Sequence, residues 1–346
     1  MTDRISPLST PAATRAVLEA HGLATKKSLG QNFLVNDDVL RRILELSEVG
    51  ADDVVLEVGP GIGTLTIPLL KAARAVVSVE RDRDLPSVLR GTCGPWGEKF
   101  SLVEKDAVDL TEADVRVALA CPIAAHGMAG AESAREGDEP GRGSKPAEPS
   151  APILAEGADA VGAVPLPNKF VANLPYAVAA TVVLGYFQDF AWLDSATVMV
   201  QAEVADRMCA QPGSKNYGAY TVKLSLYAKP AGRFSVSPGN FFPPPHVDSS
   251  VLRLDRRDLA EDGIALSPDE LRATCTMADA AFASRRKTLA NSCKTYFSGR
   301  GPEGKRIARE LPELFAEAGI DPARRGETLS LEEFARLGRA LHRVLS

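Results

Sequence analysis

The chain has 346 residues, 45% of them hydrophobic and 25% charged, with a formal net charge of −5. That length suggests about two domains, and the composition is that of an ordinary water-soluble fold rather than a fibrous or disordered chain. The net acidity gives no global sign of a nucleic-acid partner. Cys93, Cys121, Cys209, Cys275 and Cys293 are scattered with no CxxC pair. This argues for reduced thiols in the cytoplasm and against zinc, and no metal is expected. No signal peptide is found, and the longest apolar run, 170–187, contains Asn173 and Pro175 and reads as core rather than a membrane span.

Residues 1–9 read as a tail. Thr10 and Pro11 can cap and start a helix that Gly22 ends. Then comes Lys26-Lys27-Ser28-Leu29-Gly30-Gln31-Asn32-Phe33-Leu34. Its amides suit a polar ligand and its lysines a phosphate; the alternative is a plain basic connector. Val39, Leu40, Ile43, Leu44 and Leu46 have helical spacing over 37–46.

Val54-Val55-Leu56 is a short β-branched run suited to a buried strand. Glu57 interrupts it, and Gly59, Gly61 and Gly63 follow at alternate positions before an apolar helical pattern resumes. Strand, glycine turn and helix form a nucleotide-binding unit, because glycine lets a ligand approach the backbone. A second strand over 75–79 ends in Glu80, about 20 positions beyond Gly59, where an acid can accept both ribose hydroxyls. A nicotinamide site would have its third glycine one residue later, where Thr64 stands. The alternating pattern behind Glu57 suits S-adenosyl-L-methionine (SAM) instead. A third strand over 100–103 precedes Asp106, which either accepts from an adenine amino group or caps a helix.

Residues 120–167 are dense in Ala, Gly, Pro, Ser and Glu without a sustained period. Such a stretch buries too little apolar surface to offset its ordering entropy and is expected to be a disordered insertion. A strand over 169–172 then runs into Asn173-Leu174-Pro175-Tyr176. Chemistry on the exocyclic amine of a base needs acceptors for its two N–H bonds. An Asn oxygen and a backbone carbonyl fixed by proline can supply them, while a Tyr ring stacks on the base. Alone, this stretch reads equally as a tight turn with a packed Tyr.

Further strands are expected over 197–200 and 222–228, a short helix over 201–208, and a loop over 212–218. The alternating 250–254 is expected to close the sheet. Phe241, in a rigid Phe-Phe-Pro-Pro-Pro run, either stacks on the target base or is core, and lone His246 has no partners for metal or base chemistry. Ser267-Pro268-Asp269-Glu270 is a capping box that opens a helical domain, and Ser330-Leu331-Glu332-Glu333 is another. Arg285, Arg286 and Lys287 are expected on one helix, in a region from 281 on where basic residues outnumber acidic ones. That surface suits a phosphate backbone or is simply a solvated face.

Together these stretches resemble the ribosomal RNA adenine N6-dimethyltransferases. The likeness rests on LGQNFL at 29–34, EVGPGIG at 57–63, VERD around Glu80, EKDAVD around Asp106 and NLPY at 173–176. It continues through PGSKNYGAY at 212–220, FFPPPHVDSSVLRL at 241–254 and AFASRRKTLANS at 281–292. The resemblance implies an α/β fold: a Rossmann-like, seven-stranded SAM-dependent methyltransferase domain (35–258) behind an N-terminal arm (1–34), with a small all-helical RNA-binding domain (259–346). It implies SAM as donor and N6,N6-dimethylation of two adjacent adenosines in the hairpin loop near the 3′ end of 16S rRNA in the small ribosomal subunit. By motif, SAM would touch Asn32, Leu34, Gly59, Glu80, Asp106 and Asn173, with Gln31 and Gly61 beside it. Asn173, a carbonyl near Pro175 and Tyr176 would hold the amine, with Phe241 stacking. Lys26, Lys27, Arg285, Arg286 and Lys287 would meet RNA. A monomer and no membrane are expected. Two other readings stand beside it, a 23S rRNA methyltransferase conferring antibiotic resistance and a non-catalytic ribosome-assembly factor. The long stretch between Asp106 and Asn173 departs from the family pattern.

Overall fold

The structure is a computed structural model that describes residues 4–26, 31–123 and 164–346. Its elements in chain order begin with α1 (Pro11–Ala20), β1 (Phe33–Leu34), α2 (Asp37–Ser47), β2 (Val54–Val58), α3 (Thr66–Ala72), β3 (Ala75–Glu80), α4 (Leu85–Thr92) and β4 (Phe100–Glu104). They continue with α5 (Glu112–Ala120), β5 (Lys169–Asn173), α6 (Ala179–Asp189), β6 (Ser195–Gln201), α7 (Ala202–Met208), α8 (Ala219–Ser225), β7 (Ala228–Val236), β8 (Phe241–Phe242) and β9 (Ser249–Arg256). Four longer helices follow: α9 (Pro268–Phe282), α10 (Leu289–Ser298), α11 (Gly301–Ala318) and α12 (Leu331–Leu345).

Seven strands form one sheet in the order β4-β3-β2-β5-β6-β9-β7. The first five are parallel, and β9 runs antiparallel to both neighbours. β2 and β3 are buried at every position, as parallel strands covered by helices on both faces must be. One apolar layer packs α5 and α6 on one face of the sheet, and a second packs α1 to α4 on the other. The two-stranded β1–β8 pair lies over the second layer, and α9 to α12 enclose a third core of their own.

The strand order reverses between β2 and β5, and ligands of open α/β sheets bind outside the carboxyl ends of the strands at such a point. Asn168 sets the register there. Its Oδ1 accepts from Val54 N at 3.0 Å and its Nδ2 donates to Asp53 Oδ1 at 2.6 Å.

Three expectations are corrected. The alternating 222–228 stretch is helix α8 to Ser225, with β7 beginning at Ala228. Its alternation arises because Val222 enters the helical-domain core while Leu224 enters the sheet core, so a helix wedged between two cores imitates a strand. The 250–254 strand does not close the sheet. β9 lies inside it, and β7 is the edge, blunted by Pro230 and an irregularity between Pro230 and Gly232. Arg285 to Lys287 occupy the turn between α9 and α10 rather than one helix. Of the expected insertion at 120–167, residues 124–163 lie outside those described. The capping boxes at Ser267 and Ser330 both form.

The helical domain contains unusually close approaches, and the crossing of α12 on α9 is one of them. A Cβ on Gly338 of α12 would stand 2.7 Å from the Thr274 Cα on α9. Overpacking of this kind costs about 1–3 kcal/mol. Gly338→Ala should therefore lower the urea midpoint, whereas Gly239→Ala, with open space around its position, should leave it unchanged.

Candidate active site

A cavity of about 550 Å³ opens at the strand-order reversal, a size usual for small-molecule sites. Its walls are residues 31–32 with the β1 strand that follows them, the glycine loop after β2, the ends of β3 and β4, and the turn after β5.

The glycine loop is shaped by what packs against it. Gly59 and Gly61 have φ of 69° and 61°, which side chains rarely adopt. A Cβ on Gly61 would stand 3.0 Å from the Phe33 ring, and one on Gly59 3.4 Å from Pro175. The loop thus touches both other motifs of the site. Beneath it, Glu57 is buried at 1% exposure. Its Oε2 accepts from Thr66 Oγ1 at 2.8 Å and Ser78 Oγ at 2.7 Å, tying α3 to β3. Burial pushes its carboxyl up to about 7, against the pull of the two hydroxyls.

Glu80 ends β3 and is nearly buried. Its Oε1 accepts from Asp82 N at 2.8 Å. Burial raises its pKa, and backbone N–H groups from Asp82, Gly61 and Arg81 oppose that rise. Asp106 caps the turn after β4, accepting from Val108 N at 3.2 Å, and pairs with Arg81 at 3.0 Å. The capping role therefore describes it here, and an incoming adenine amine would compete with Arg81.

Asn173 ends β5, and its Nδ2 donates to the Asn32 carbonyl at 3.2 Å. The Tyr176 hydroxyl is 2.7 Å from Ser249 Oγ at the start of β9. Burial raises the Tyr176 phenol, and the Ser249 bond lowers it, for a net rise. The Pro175 carbonyl accepts from Val178 N at 3.2 Å, closing the turn.

The structure brings Gln31, Asn32, Leu34, Gly59, Gly61, Glu80, Asp106, Asn173, Pro175 and Tyr176 to one cavity wall. It does not bring Phe241 there. That ring is 4% exposed, pairs across the strands with Leu34, and belongs to the core. Lys26 is held by Asp82 and Asp84, at 2.6 and 2.5 Å. Lys27 lies outside the described residues. Arg285 bonds Glu327 at 3.2 Å and the Lys215 carbonyl, joining the 211–218 loop to the helical domain. Arg286 and Lys287 are exposed and form no ion pair among the described residues.

Three residues escaped the sequence reading. Asp82 was visible only as the acid that ends VERD. Ser249 lay unassigned inside the VDSS run. Lys215 sat in the glycine-rich 212–218 loop and now lines a second groove with Arg207, Asn216 and Arg285. Among the described residues no group of His, Cys, Asp and Glu could hold a metal, and no helix is long and apolar enough to cross a membrane.

Fold and site define the class, the SAM-dependent methyltransferases. The donor fits the residues present, because Gly59 and Gly61, which carry no side chain, line the same cavity as Glu80 and Asp106. Residues 22–311 match the family of ribosomal RNA adenine dimethylases. Relatives called "Ribosomal RNA small subunit methyltransferase A" include those of Geobacillus sp. (strain WCH70) and Shouchella clausii (strain KSM-K16). The first is 32% identical over 98% of this chain and 99% of its own, and the second 37% over 98% and 97%. Similar solved structures are a dimethyladenosine transferase from Plasmodium falciparum and the 23S rRNA methyltransferase ErmE. The first has TM-score 0.62 and 20% identity over 88% of this chain and 95% of that one; the second has 0.55 and 22% over 90% and 99%. The chain belongs to the ribosomal RNA adenine dimethylase family.

The raised carboxyl of Glu57 has a consequence for stability. The folded state binds this proton more tightly than the unfolded chain, whose carboxyl keeps its ordinary value of 4.5. Stability from this group is therefore full below 4.5 and is lost as pH rises to about 7. Glu57→Gln keeps an oxygen for Thr66 and Ser78 and cannot ionise. Its urea midpoint relative to the parent protein should climb between pH 5 and 7 and level off above.

Proposed function

We propose that the protein transfers methyl groups from SAM to N6 of two adjacent adenosines in the hairpin loop near the 3′ end of 16S rRNA, ending at N6,N6-dimethyladenosine. It does so as a cytoplasmic monomer during small-subunit biogenesis. The observation that carries this reading is the facing of the Asn173 amide. Its N–H group is fixed on the Asn32 carbonyl, so its oxygen is the free end. The target amine is a donor and needs that oxygen.

The Pro175 carbonyl is engaged by Val178, which leaves the Leu174 carbonyl as the backbone acceptor beside Asn173. Two acceptors draw the amine N–H bonds out of the ring plane and free the nitrogen lone pair. The Tyr176 ring, tethered through its hydroxyl, offers a face for the adenine. Bound SAM supplies the methyl as an activated sulfonium. No strong base is needed, since the nitrogen becomes acidic as it gains the methyl. Positioning and amine polarisation then supply the rate. The small subunit is favoured as substrate by the names of relatives 32% and 37% identical over nearly the whole chain.

The test is methyl transfer from labelled SAM to unmethylated small subunits, large subunits and naked rRNA, with mass spectrometry of the nucleosides. Dimethyladenosine on the small subunit alone is expected. Labelling of the large subunit would move the protein to the resistance branch, and SAM binding without transfer would favour an assembly factor. Asn173→Ala should cut turnover by about 10²–10³-fold with little change in RNA affinity, and an unchanged rate would remove its assigned role. RNA binding should weaken with salt. Lys215→Gln, Arg286→Gln and Lys287→Gln should each lower the slope of log affinity against log salt by about one. A slope of zero in the parent protein would overturn the phosphate assignment.

A further inference from the structure

We infer that Asp82 is a positioning residue for methyl transfer: it clamps Lys26 and Gln31, thereby fixing the backbone at Asn32, whose carbonyl sets the facing of the Asn173 amide. The inference rests on the proposed role of Asn173.

Asp82 sits two residues beyond Glu80, and its side chain is 6% exposed. One oxygen accepts from Lys26 Nζ at 2.6 Å and the other from Gln31 Nε2 at 2.8 Å. The carboxylate therefore receives both ends of the 26–31 segment. Those ends are also joined to each other. Gln31 Oε1 accepts from Lys26 N at 2.9 Å, and Gln31 N donates to the Lys26 carbonyl at 3.4 Å. Asp84 reinforces the clamp, because Lys26 reaches its carboxylate and its own N–H donates to Asp82 Oδ1 at 3.2 Å. Burial raises the Asp82 pKa, but the Lys26 ammonium, the Asp84 N–H and the Gln31 amide outweigh it and hold the carboxyl ionised.

Asn32 follows Gln31 directly and precedes β1, which is pinned to β8. Its backbone is thus fixed on one side by a sheet pair and on the other by the Asp82 clamp. A carboxamide alone has two facings of similar energy. The Asn32 carbonyl selects the one with Nδ2 inward and Oδ1 free. If that carbonyl shifts, Asn173 can present N–H groups to an amine that itself donates. A displacement of this kind costs about 10²-fold in rate without removing any catalytic group.

Asp82→Asn tests the chain of contacts, since it puts an N–H donor where Lys26 or Gln31 now donates. Single-turnover transfer to unmethylated small subunits should fall by about 10- to 100-fold, while the RNA KM changes by less than about threefold. Lys26→Met should fall in the same direction, and Lys26→Arg should recover most of the loss. In an Asn173→Ala background, Asp82→Asn should cost nothing further, because both act through one amide. Full additivity with Asn173→Ala would overturn the inference. So would a lowered melting temperature at an unchanged single-turnover rate, which marks a merely structural clamp. The rate of the parent protein reports separately on the proposed function. If the parent transfers no methyl, SAM affinity decides: Asp82→Asn should weaken it several-fold through Asn32, and unchanged affinity would overturn the clamp.

Discussion

The parallel pairing of β2 with β5 is the constraint on which the site depends. Val55 is level with Lys169 and Leu56 with Phe170, so the strands run in step towards Gly59 on one and Asn173 on the other. The residue proposed to cradle the donor and the residue proposed to face the acceptor amine are thus neighbours across one strand gap. A slip of one residue would turn every side chain of β5 to the wrong face. Asn168 guards against that slip by bonding the backbone at Val54 and the side chain at Asp53. Its place in the chain explains how a long sequence departure is tolerated. Whatever precedes Asn168, the strand after it is re-registered before it reaches the site.

The sequence disclosed those parts of the fold that local chemistry dictates. The glycine turn, the acid ending β3, the NLPY turn and both helical capping boxes could be read because their residue types permit few conformations. The failures share one cause. At Val222 and Leu224 the alternation reflected two cores on either side of a helix, information that belongs to the tertiary structure. At Arg285 to Lys287 the helical pattern continued across a turn that is tied to the 211–218 loop and to Ser292, contacts that belong to the tertiary structure. Phe241 is aromatic and next to a rigid proline run, as a stacking residue would be, yet it faces the core opposite Leu34. Nothing in one sequence tells which of two adjacent phenylalanines turns inward.

Charge was the least legible property. The sequence shows which cations exist but not which are already engaged. Lys26 and Arg285 both looked available to a phosphate, and both hold the protein's own parts together, the first across the cavity rim and the second between domains. Lys215, Arg286 and Lys287 stay exposed and form no ion pair among the described residues. An acidic chain can therefore offer RNA a basic surface while others of its cations, Lys26 and Arg285 among them, are internally paired. The steering effect of that surface depends on which charges are unpaired, rather than on the total.

A carboxyl with a pKa near 7 lining a cavity would ordinarily be read as a general base. Glu57 meets that description, and the geometry argues against the role. The oxygen that accepts is committed to Thr66 and Ser78, and the group lies beneath the glycine loop rather than at the Asn173 turn. Its raised value follows first from burial and then from the nearby Glu80 charge, and its hydrogen bonds tie α3 to β3. At the turn itself, Asn173 does not titrate and the Tyr176 phenol is pushed away from neutrality. A reaction whose donor is already activated needs no proton acceptor of matched strength, only two fixed oxygens and a flat face. The chain of contacts from Asn173 through Asn32 and Gln31 to Asp82 supplies the positioning that the proposed reaction requires in place of a base.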